Sequence, residues 1–206
     1  MKKLLLLLLI LGIAAGTAFA WDVETFLFSY PSPIEKGSIL ISPAFSIGSY
    51  YGWATAIAVT GAFDYALPIA VPIMVGAEAG IATVVGTYAD DILTLPIFLK
   101  GSWHPNFQVP NLDLYVTLKL GYNINLKSDS YKDNSYEYNY GGGFSYGGNI
   151  GARYFFTPSI GVFGELGYDQ YAVSYEYKHK YFSYSTSGSY KYYMYTWFHT
   201  GITFKI

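Results

Sequence analysis

The sequence contains no cysteine, few charged residues, and no long apolar run beyond its first 20 residues. Without cysteine there are no disulfides, no thiolate metal ligands and no cysteine nucleophile. Charged residues make up 13% of the 206 residues, about half the fraction usual in soluble domains. The apolar stretch at 66–75 is broken by Pro68 and Pro72, which argues against a transmembrane helix. The chain therefore has neither the surface of an ordinary soluble domain nor the helices of a helical membrane protein.

The first 20 residues, MKKLLLLLLILGIAAGTAFA, have the composition of a secretory signal peptide. Two lysines precede an apolar run that ends at Ala15, and AFA at 18–20 forms a small-x-small cleavage site. The alternative, a transmembrane anchor, requires about 20 apolar residues, more than this run supplies. We expect residues 1–20 to be removed on export. Lysine and arginine then fall from 12 to 10 against 14 acidic residues, and this net charge of −4 offers no basic surface for nucleic acid.

Aromatic and small residues are abundant, and they alternate with period two. Aromatic residues reach 20%, and the chain has 23 tyrosines and 22 glycines. From Trp53 to Leu67 the odd positions are mostly bulky and apolar, whereas the even positions are small apart from Asp64. The same alternation recurs in seven further segments, which predicts eight strands, each with one apolar face. Compact connections that contain proline alternate with connections that include two longer tyrosine-rich segments, at 128–140 and 171–190.

An even number of strands, with short turns at one end and longer loops at the other, is typical of membrane β-barrels. A soluble up-and-down barrel such as a lipocalin turns its polar face outward, and about one charge per strand cannot solvate that exterior. We therefore predict an all-β fold: an eight-stranded antiparallel up-and-down transmembrane β-barrel over residues 38–206, in contact with outer-membrane lipid. Closure pairs every backbone amide, so the last strand should meet the first. Residues 21–37 should form an ordered segment in the periplasm or lower lumen.

The last ten residues, WFHTGITFKI, form an amphipathic strand. Within them His199, Gly201, Phe204 and Ile206 resemble the C-terminal signal that the barrel assembly machinery recognises in outer-membrane proteins, with Ile206 in place of the usual aromatic residue. The chain from about Ser38 onward looks like the small barrels of the OmpA, OmpX and OmpW type. LPIFLKGSWHP followed by LDLYVTLKLGYNI is similar to a strand-turn-strand of porin-like barrels. The resemblance implies the outer membrane as the location and the assembly machinery as a partner.

The alternation assigns a set of charged residues to the barrel interior as a lumen network: Asp64, Glu78, Lys100, Lys119, Arg153 and Glu165. Arg153 and Glu165 flank the turn near Pro158 and should be close neighbours on adjacent strands. Such a network is either static, because buried charges need partners, or the lining of a gated narrow pore whose ion pairs switch partners. An eight-stranded barrel is just wide enough for its side chains to fill, although inward glycines and alanines leave room for water.

Catalytic and metal-binding signals are weak. GFSYG at 143–147 matches G-x-S-x-G, but that motif requires a strand-turn-helix elbow and here lies within an alternating strand. His104 precedes a proline in a turn, His179 lies in a loop and His199 faces inward, and none has an acidic partner at a recognisable spacing. We therefore expect no enzyme activity, no cofactor and no metal site.

The tyrosine-rich loops favour a role in surface recognition, because tyrosine offers contact area and a hydroxyl at low entropic cost. Some of these tyrosines could instead belong to the interfacial aromatic girdle or to strands that project beyond the bilayer. We predict an integral outer-membrane protein with a structural or surface-interaction, adhesin-like role and an extracellular ligand at these loops. The alternative is a narrow porin-like channel for small solutes, and a lipid-modifying enzyme ranks third.

Overall fold

The computed structural model describes residues 33–50, 54–85, 92–105, 109–126, 136–179 and 188–206. Its strands are β1 (Ile39–Tyr50), β2 (Ala54–Ala66), β3 (Ile73–Val85), β4 (Leu93–Trp103), β5 (Leu112–Asn125), β6 (Tyr136–Gly141), β7 (Gly143–Phe155), β8 (Ile160–His179) and β9 (Gly188–Lys205). Among these residues no helix is long and apolar enough to span a bilayer. The expected signal peptide, residues 21–32 of the N-terminal segment, and residues 127–135 and 180–187 of the tyrosine-rich segments lie outside the described residues.

The strands form one closed antiparallel sheet. Sequential pairing from β1 to β5 continues through β7, β8 and β9, and β9 returns to pair with β1. The two ends of the sheet exchange hydrogen bonds, from Ile39 N to Ile206 O at 3.0 Å and from Ile206 N to Ile39 O at 2.9 Å. Closure satisfies the backbone groups that an open sheet edge would leave bare in lipid. The predicted barrel and the predicted meeting of its last and first strands are confirmed.

The barrel has eight strands although nine segments are described, because β6 and β7 are one strand interrupted at Gly142. The lower part, β7, pairs with β5 and β8, whereas the upper part, β6, pairs with β8. A Cβ at Gly142 would collide with the backbone carbonyl oxygen of Asn123. The interruption therefore falls where the neighbouring strand comes too close for any side chain.

Alternation turns most large hydrophobic side chains outward and the lumen charges inward. Leu99, Leu118 and Ile150 are 72%, 68% and 69% exposed, whereas Lys119 on the inner face is 2% exposed. A soluble domain shows the opposite distribution, because water rather than lipid covers its surface. The outer band is therefore a lipid-facing surface, and each predicted apolar face points away from the lumen.

Two strands are longer than the sequence predicts. The segment 171–190 reads as a loop, yet β8 continues to His179 and β9 begins at Gly188, which gives strands of 20 and 18 residues. Part of the loop predicted at 128–140 likewise forms β6. The reason is pairing: β8 bonds to β6 on one side and to β9 on the other, so polar residues that would be solvated as a loop complete a three-stranded sheet.

The lower end of the barrel carries the short connections. The turn between β7 and β8 is bound by Thr157, whose Oγ1 accepts hydrogen bonds from the amides of Ser159 and Ile160. Residues 33–38 lie at this end, where Lys205 Nζ donates to the carbonyl oxygen of Pro33 at 2.8 Å. Ile34 packs against a small apolar cluster inside the lower mouth. The described part of the N-terminal segment is therefore attached to the lower end of the barrel.

Candidate functional site in the barrel lumen

The lumen contains all six charged residues that the sequence assigns to it. Asp64 and Arg153 are 3% exposed, and Glu78 and Glu165 are 5% exposed. The side chain of Lys100 is 7% exposed. They come from six different strands, β2 to β5, β7 and β8, so only barrel closure brings them together.

Lys119 is the centre of the network. Its Nζ lies 3.0 Å from Glu78 Oε2 and 2.8 Å from Asp169 Oδ2. Lys100 binds Asp64 at 3.1 Å and lies 3.9 Å from Glu78 Oε2, so Glu78 is shared between the two lysines. Buried charges are costly unless they are paired, and this layer pairs both lysines with carboxylates.

Arg153 and Glu165 are close neighbours on the paired strands β7 and β8, as their positions beside the turn predict, although they bind different partners. Arg153 Nη1 donates to Asp113 Oδ2 at 2.9 Å, while Glu165 accepts a hydrogen bond from the Tyr115 hydroxyl at 2.8 Å. The Tyr115 ring lies 4.7 Å from the Arg153 guanidinium carbon. A Cβ at Gly151 would collide with this ring, so the absence of a side chain there makes room for tyrosine beside the two charges.

Two of the three histidines have acidic partners that sequence spacing did not reveal. His104 Nδ1 lies 2.8 Å from Asp113 Oδ1, and its Nε2 lies 2.8 Å from Ser102 Oγ. His199 Nδ1 lies 2.7 Å from Ser46 Oγ, and its Nε2 lies 3.5 Å from an Asp169 carboxylate oxygen without a hydrogen bond. The third, His179, ends β8 instead of lying in a loop.

A belt of hydrogen bonds crosses the lower lumen from β4 to β1. It continues the Ser102–His104–Asp113 chain through Arg153, whose Nε donates to Thr203 Oγ1 at 3.0 Å. Thr203 and Ser42 then share a hydrogen bond of 2.9 Å between their hydroxyls. The belt joins β4, β5, β7, β9 and β1, so it ties together strands that are distant in the sequence.

Apolar layers lie above and below the charged residues. The lower one consists of Leu40, Ala66, Met74 and Phe155. The upper one is larger and consists of Tyr50, Ala56, Ala58, Ala82, Val84, Ile92, Phe98, Tyr171, Val173 and Met194. Between them a cavity of about 10 Å³ is lined by Lys100, Lys119, Glu78 and Glu165 among others, which is room for about one water molecule. The described lumen is therefore filled rather than open.

The predicted lumen network leaves out three residues that belong to it, although their positions in the alternating pattern place them inside the barrel. Asp113 shares the inward parity of Lys119 on β5, and Asp169 shares that of Glu165 on β8. Asn149 donates from its side-chain amide to both Glu165 and Asp169. Alternation places all three inside, but only the register identifies their partners. In the described residues no three His, Cys, Asp or Glu side chains are arranged to hold a metal ion.

Three residues of the C-terminal signal lie along β9, and the fourth, Ile206, follows its last residue. His199 faces the lumen, whereas Phe204 and Ile206 are 41% and 75% exposed on the lipid-facing side. A Cβ at Gly201 would collide with the carbonyl oxygen of Pro43, so this glycine allows close approach of β9 to β1 at the seam where the barrel closes.

A row of aromatic rings crosses the outside of β7, β8 and β9. Tyr146, Tyr168 and Tyr195 have neighbouring ring centroids 6.5 and 4.9 Å apart. The opposite end of the outer face of β7 carries Phe156 just beyond the strand, 55% exposed. With about 3.4 Å per residue and a tilt near 40°, Tyr146 and Phe156 lie about 25 Å apart along the barrel axis, the height expected of a lipid-facing band. The aromatic row therefore marks the upper interface.

Solved structures share this architecture, although no family model and no curated protein sequence matches the chain. The outer membrane protein OprG from Pseudomonas aeruginosa superposes with a TM-score of 0.60 at 12% identity, over 84% of this chain and 97% of that one. Outer membrane protein AlkL, solved in lipid bilayers, gives 0.53 at 14% identity, over 86% and 95%. The chain has the fold of the small outer-membrane barrels. At these identities the likeness is one of fold, and the barrel's apolar exterior agrees with residence in the outer membrane.

Proposed function

We propose that this outer-membrane barrel acts at the cell surface, through a tyrosine-rich ribbon that its three longest-reaching strands build above the membrane. The ribbon comprises β6, residues 174–179 of β8 and residues 188–191 of β9, beyond the upper apolar layer that contains Tyr171, Val173 and Met194. Eleven residues separate Tyr168 at the interface from the end of β8 at His179. At about 3.4 Å per residue and the usual tilt they reach about 30 Å beyond the aromatic row. This excess strand length is the observation that carries the proposal.

The register places tyrosines opposite one another across the ribbon. Tyr140 is paired with Tyr175, and Tyr175 with Tyr190, so three strands contribute to one row. Tyr138 is paired with Tyr177 in the next alternate row. Aromatic pairs across strands stabilise a sheet, and tyrosine-rich surfaces suit recognition because each ring offers a large area at low entropic cost. Rows above the interface are not needed to anchor the barrel in lipid.

The filled lumen supports a role outside the barrel. Ions would have to displace both apolar layers and break the pairs of Lys119 and Arg153 to pass through. Removing one partner of a buried ion pair costs about 3–5 kcal/mol of stability. An aqueous pore would therefore need a rearrangement of the lumen, whereas the ribbon is available without one.

Adhesion of cells that carry the protein tests the ribbon. We would compare wild type with a variant in which Tyr138, Tyr140, Tyr175 and Tyr190 are serine, on plates coated with collagen, laminin or fibronectin. The matched control replaces Tyr146 and Tyr168 in the aromatic row. Adhesion to one of these coatings that falls in the ribbon variant and persists in the control supports the proposal. Equal adhesion of the ribbon variant and wild type, with equal amounts of folded barrel at the surface, contradicts it.

A second candidate, the narrow channel, is favoured by one observation. Among the residues that the structure describes, four buried polar atoms of the lumen have no hydrogen-bond partner, namely Asp64 Oδ1, Asn123 Oδ1, Asn149 Oδ1 and His199 Nε2. Such atoms are often served by water, which a conducting lumen would contain. Conductance of the refolded protein in planar bilayers separates the two functions. Discrete openings that change in a Lys100→Gln, Arg153→Gln variant would favour the channel as the function. A folded barrel without conductance would favour the surface ribbon.

A further inference from the structure

The lumen contains two serine–histidine pairs, and they differ in how the second ring nitrogen is held. In the upper pair, Ser46 meets His199 Nδ1, and His199 Nε2 has no hydrogen bond. In the lower pair, Ser102 Oγ meets His104 Nε2 at 2.8 Å while Asp113 Oδ1 meets Nδ1 at 2.8 Å. The lower arrangement has the connectivity and the distances of a serine, histidine and aspartate relay in acyl-transfer enzymes.

Contacts with three neighbouring residues fix the positions of His104 and Asp113. The Tyr115 ring stacks on His104 with centroids 5.2 Å apart and planes 23° apart. The other oxygen of Asp113 binds Arg153 Nη1 at 2.9 Å. The His104 backbone amide donates to Pro72 O at 2.9 Å. A base whose orientation is fixed in this way takes up a proton from serine without first having to rotate, which is the arrangement that nucleophilic catalysis requires.

We propose that Ser102 is a nucleophile and that the lower lumen transfers acyl groups from carboxylic esters. Ser102 Oγ attacks the ester carbonyl carbon while His104 Nε2 takes the hydroxyl proton. The tetrahedral intermediate collapses, the bond to the alcohol oxygen breaks, and His104 returns the proton to the departing alcohol. Water then attacks the acyl carbonyl carbon while His104 Nε2 takes the water proton. The bond from that carbon to Ser102 Oγ breaks, the carboxylic acid leaves, and His104 returns the proton to Ser102 Oγ. Asp113 is a positioning residue that holds the imidazole.

The surroundings of Ser102 select the kind of ester. Met74 is its direct register partner on β3, and Met74 belongs to the apolar layer with Leu40 and Phe155. An apolar acyl chain would replace Ile34, which packs against this layer from residues 33–38 rather than from a barrel strand. The entrance is therefore at the lower mouth, and the substrate class is an ester whose acyl chain is apolar.

Labelling by a fluorophosphonate probe tests the nucleophile directly. We would expose the refolded mature protein to the probe in detergent micelles, map the modified residue by peptide mass spectrometry, and measure hydrolysis of p-nitrophenyl butyrate. We expect modification at Ser102, loss of labelling in Ser102→Ala, and at least about a hundredfold slower labelling in His104→Gln, as expected for removal of a general base. Ser46→Ala is the matched control, because Ser46 is also buried and is bonded to a histidine that lacks the second hydrogen bond. This variant should label and turn over like wild type.

Two outcomes of the labelling and hydrolysis assays would overturn the proposal, and a third comes from a cysteine variant. One is the absence of label on Ser102 in protein whose heat-modifiable gel mobility shows a folded barrel. The other is ester hydrolysis that is unchanged in Ser102→Ala. Because Ser102→Ala removes one hydroxyl, a Ser102→Cys variant retains a side chain that can react, and its labelling by iodoacetamide reports whether the site is accessible. An inaccessible thiol in a folded barrel also counts against the proposal. None of these results bears on the surface ribbon, which adhesion tests separately.

Discussion

Replacing Lys119 with methionine should destabilise the barrel, because Lys119 is the centre of the ion-pair network in the lumen. Methionine keeps most of the apolar stem of the side chain and removes the ammonium group. Glu78 and Asp169 then lose partners at 3.0 and 2.8 Å in an environment where the lysine side chain is 1% exposed. Breaking a buried pair by removing one partner costs about 3–5 kcal/mol.

Two contacts that remain in the variant limit the expected loss of stability. Glu78 retains Lys100 at 3.9 Å, and Asp169 retains the amide of Asn149 at 3.1 Å, so neither carboxylate is left entirely alone. We therefore expect a loss of about 3 kcal/mol, at the lower end of the range. With a denaturant slope of about 2 kcal/mol per molar urea, the midpoint of unfolding falls by roughly 1.5 M.

The assay is urea unfolding of the refolded protein in detergent micelles, followed by tryptophan fluorescence and by heat-modifiable gel mobility. Lys36→Met is the control, because Lys36 is exposed at the lower end and its replacement should change stability by no more than about 0.5 kcal/mol. Adding Glu78→Gln and Asp169→Asn to Lys119→Met should recover most of the loss, since no uncompensated charge then remains. A midpoint within about 0.3 M of wild type for Lys119→Met, roughly 0.6 kcal/mol, would refute the ion-pair argument.

Three further outcomes follow from the lumen, the fold and the seam. Gly151→Ala should lower the free energy of unfolding by about 1–3 kcal/mol, because the added Cβ overlaps the buried Tyr115 ring. Gly164→Ala is the control and should change it little, because a Cβ there meets nothing within 4 Å. The midpoints of urea unfolding of the two variants test this difference. The refolded barrel should be silent in planar bilayers, and regular openings in wild type would show that the apolar layers do not close it. Phe204→Ser should reduce the amount of heat-modifiable barrel in isolated outer membranes while refolding in detergent stays near wild type, and equal loss in both would point to stability instead of assembly.

The predicted fold and the observed fold agree because both depend on one local property, the face of the strand on which each residue lies. Whether a strand residue faces lipid or lumen follows from its parity, and parity can be counted along the chain. Leu118 and Lys119 illustrate this, since adjacent residues are 68% and 2% exposed. The ends of the long strands were predicted less well. Pairing with β6 keeps residues up to His179 in strand conformation, and that pairing involves residues some 40 positions away.

The sequence by itself determined the architecture of this protein: eight strands with apolar faces toward lipid, and the charges that enter the lumen. Only the tertiary structure decided which of those charges meet. Arg153 binds Asp113, 40 positions away, and Ser42 binds Thr203, 161 positions away. It also decided that His104, beside a turn, meets both a carboxylate and a serine. The physical reason is that facing is a property of one strand, whereas contact across a lumen depends on register and closure, which are fixed only when all eight strands have paired.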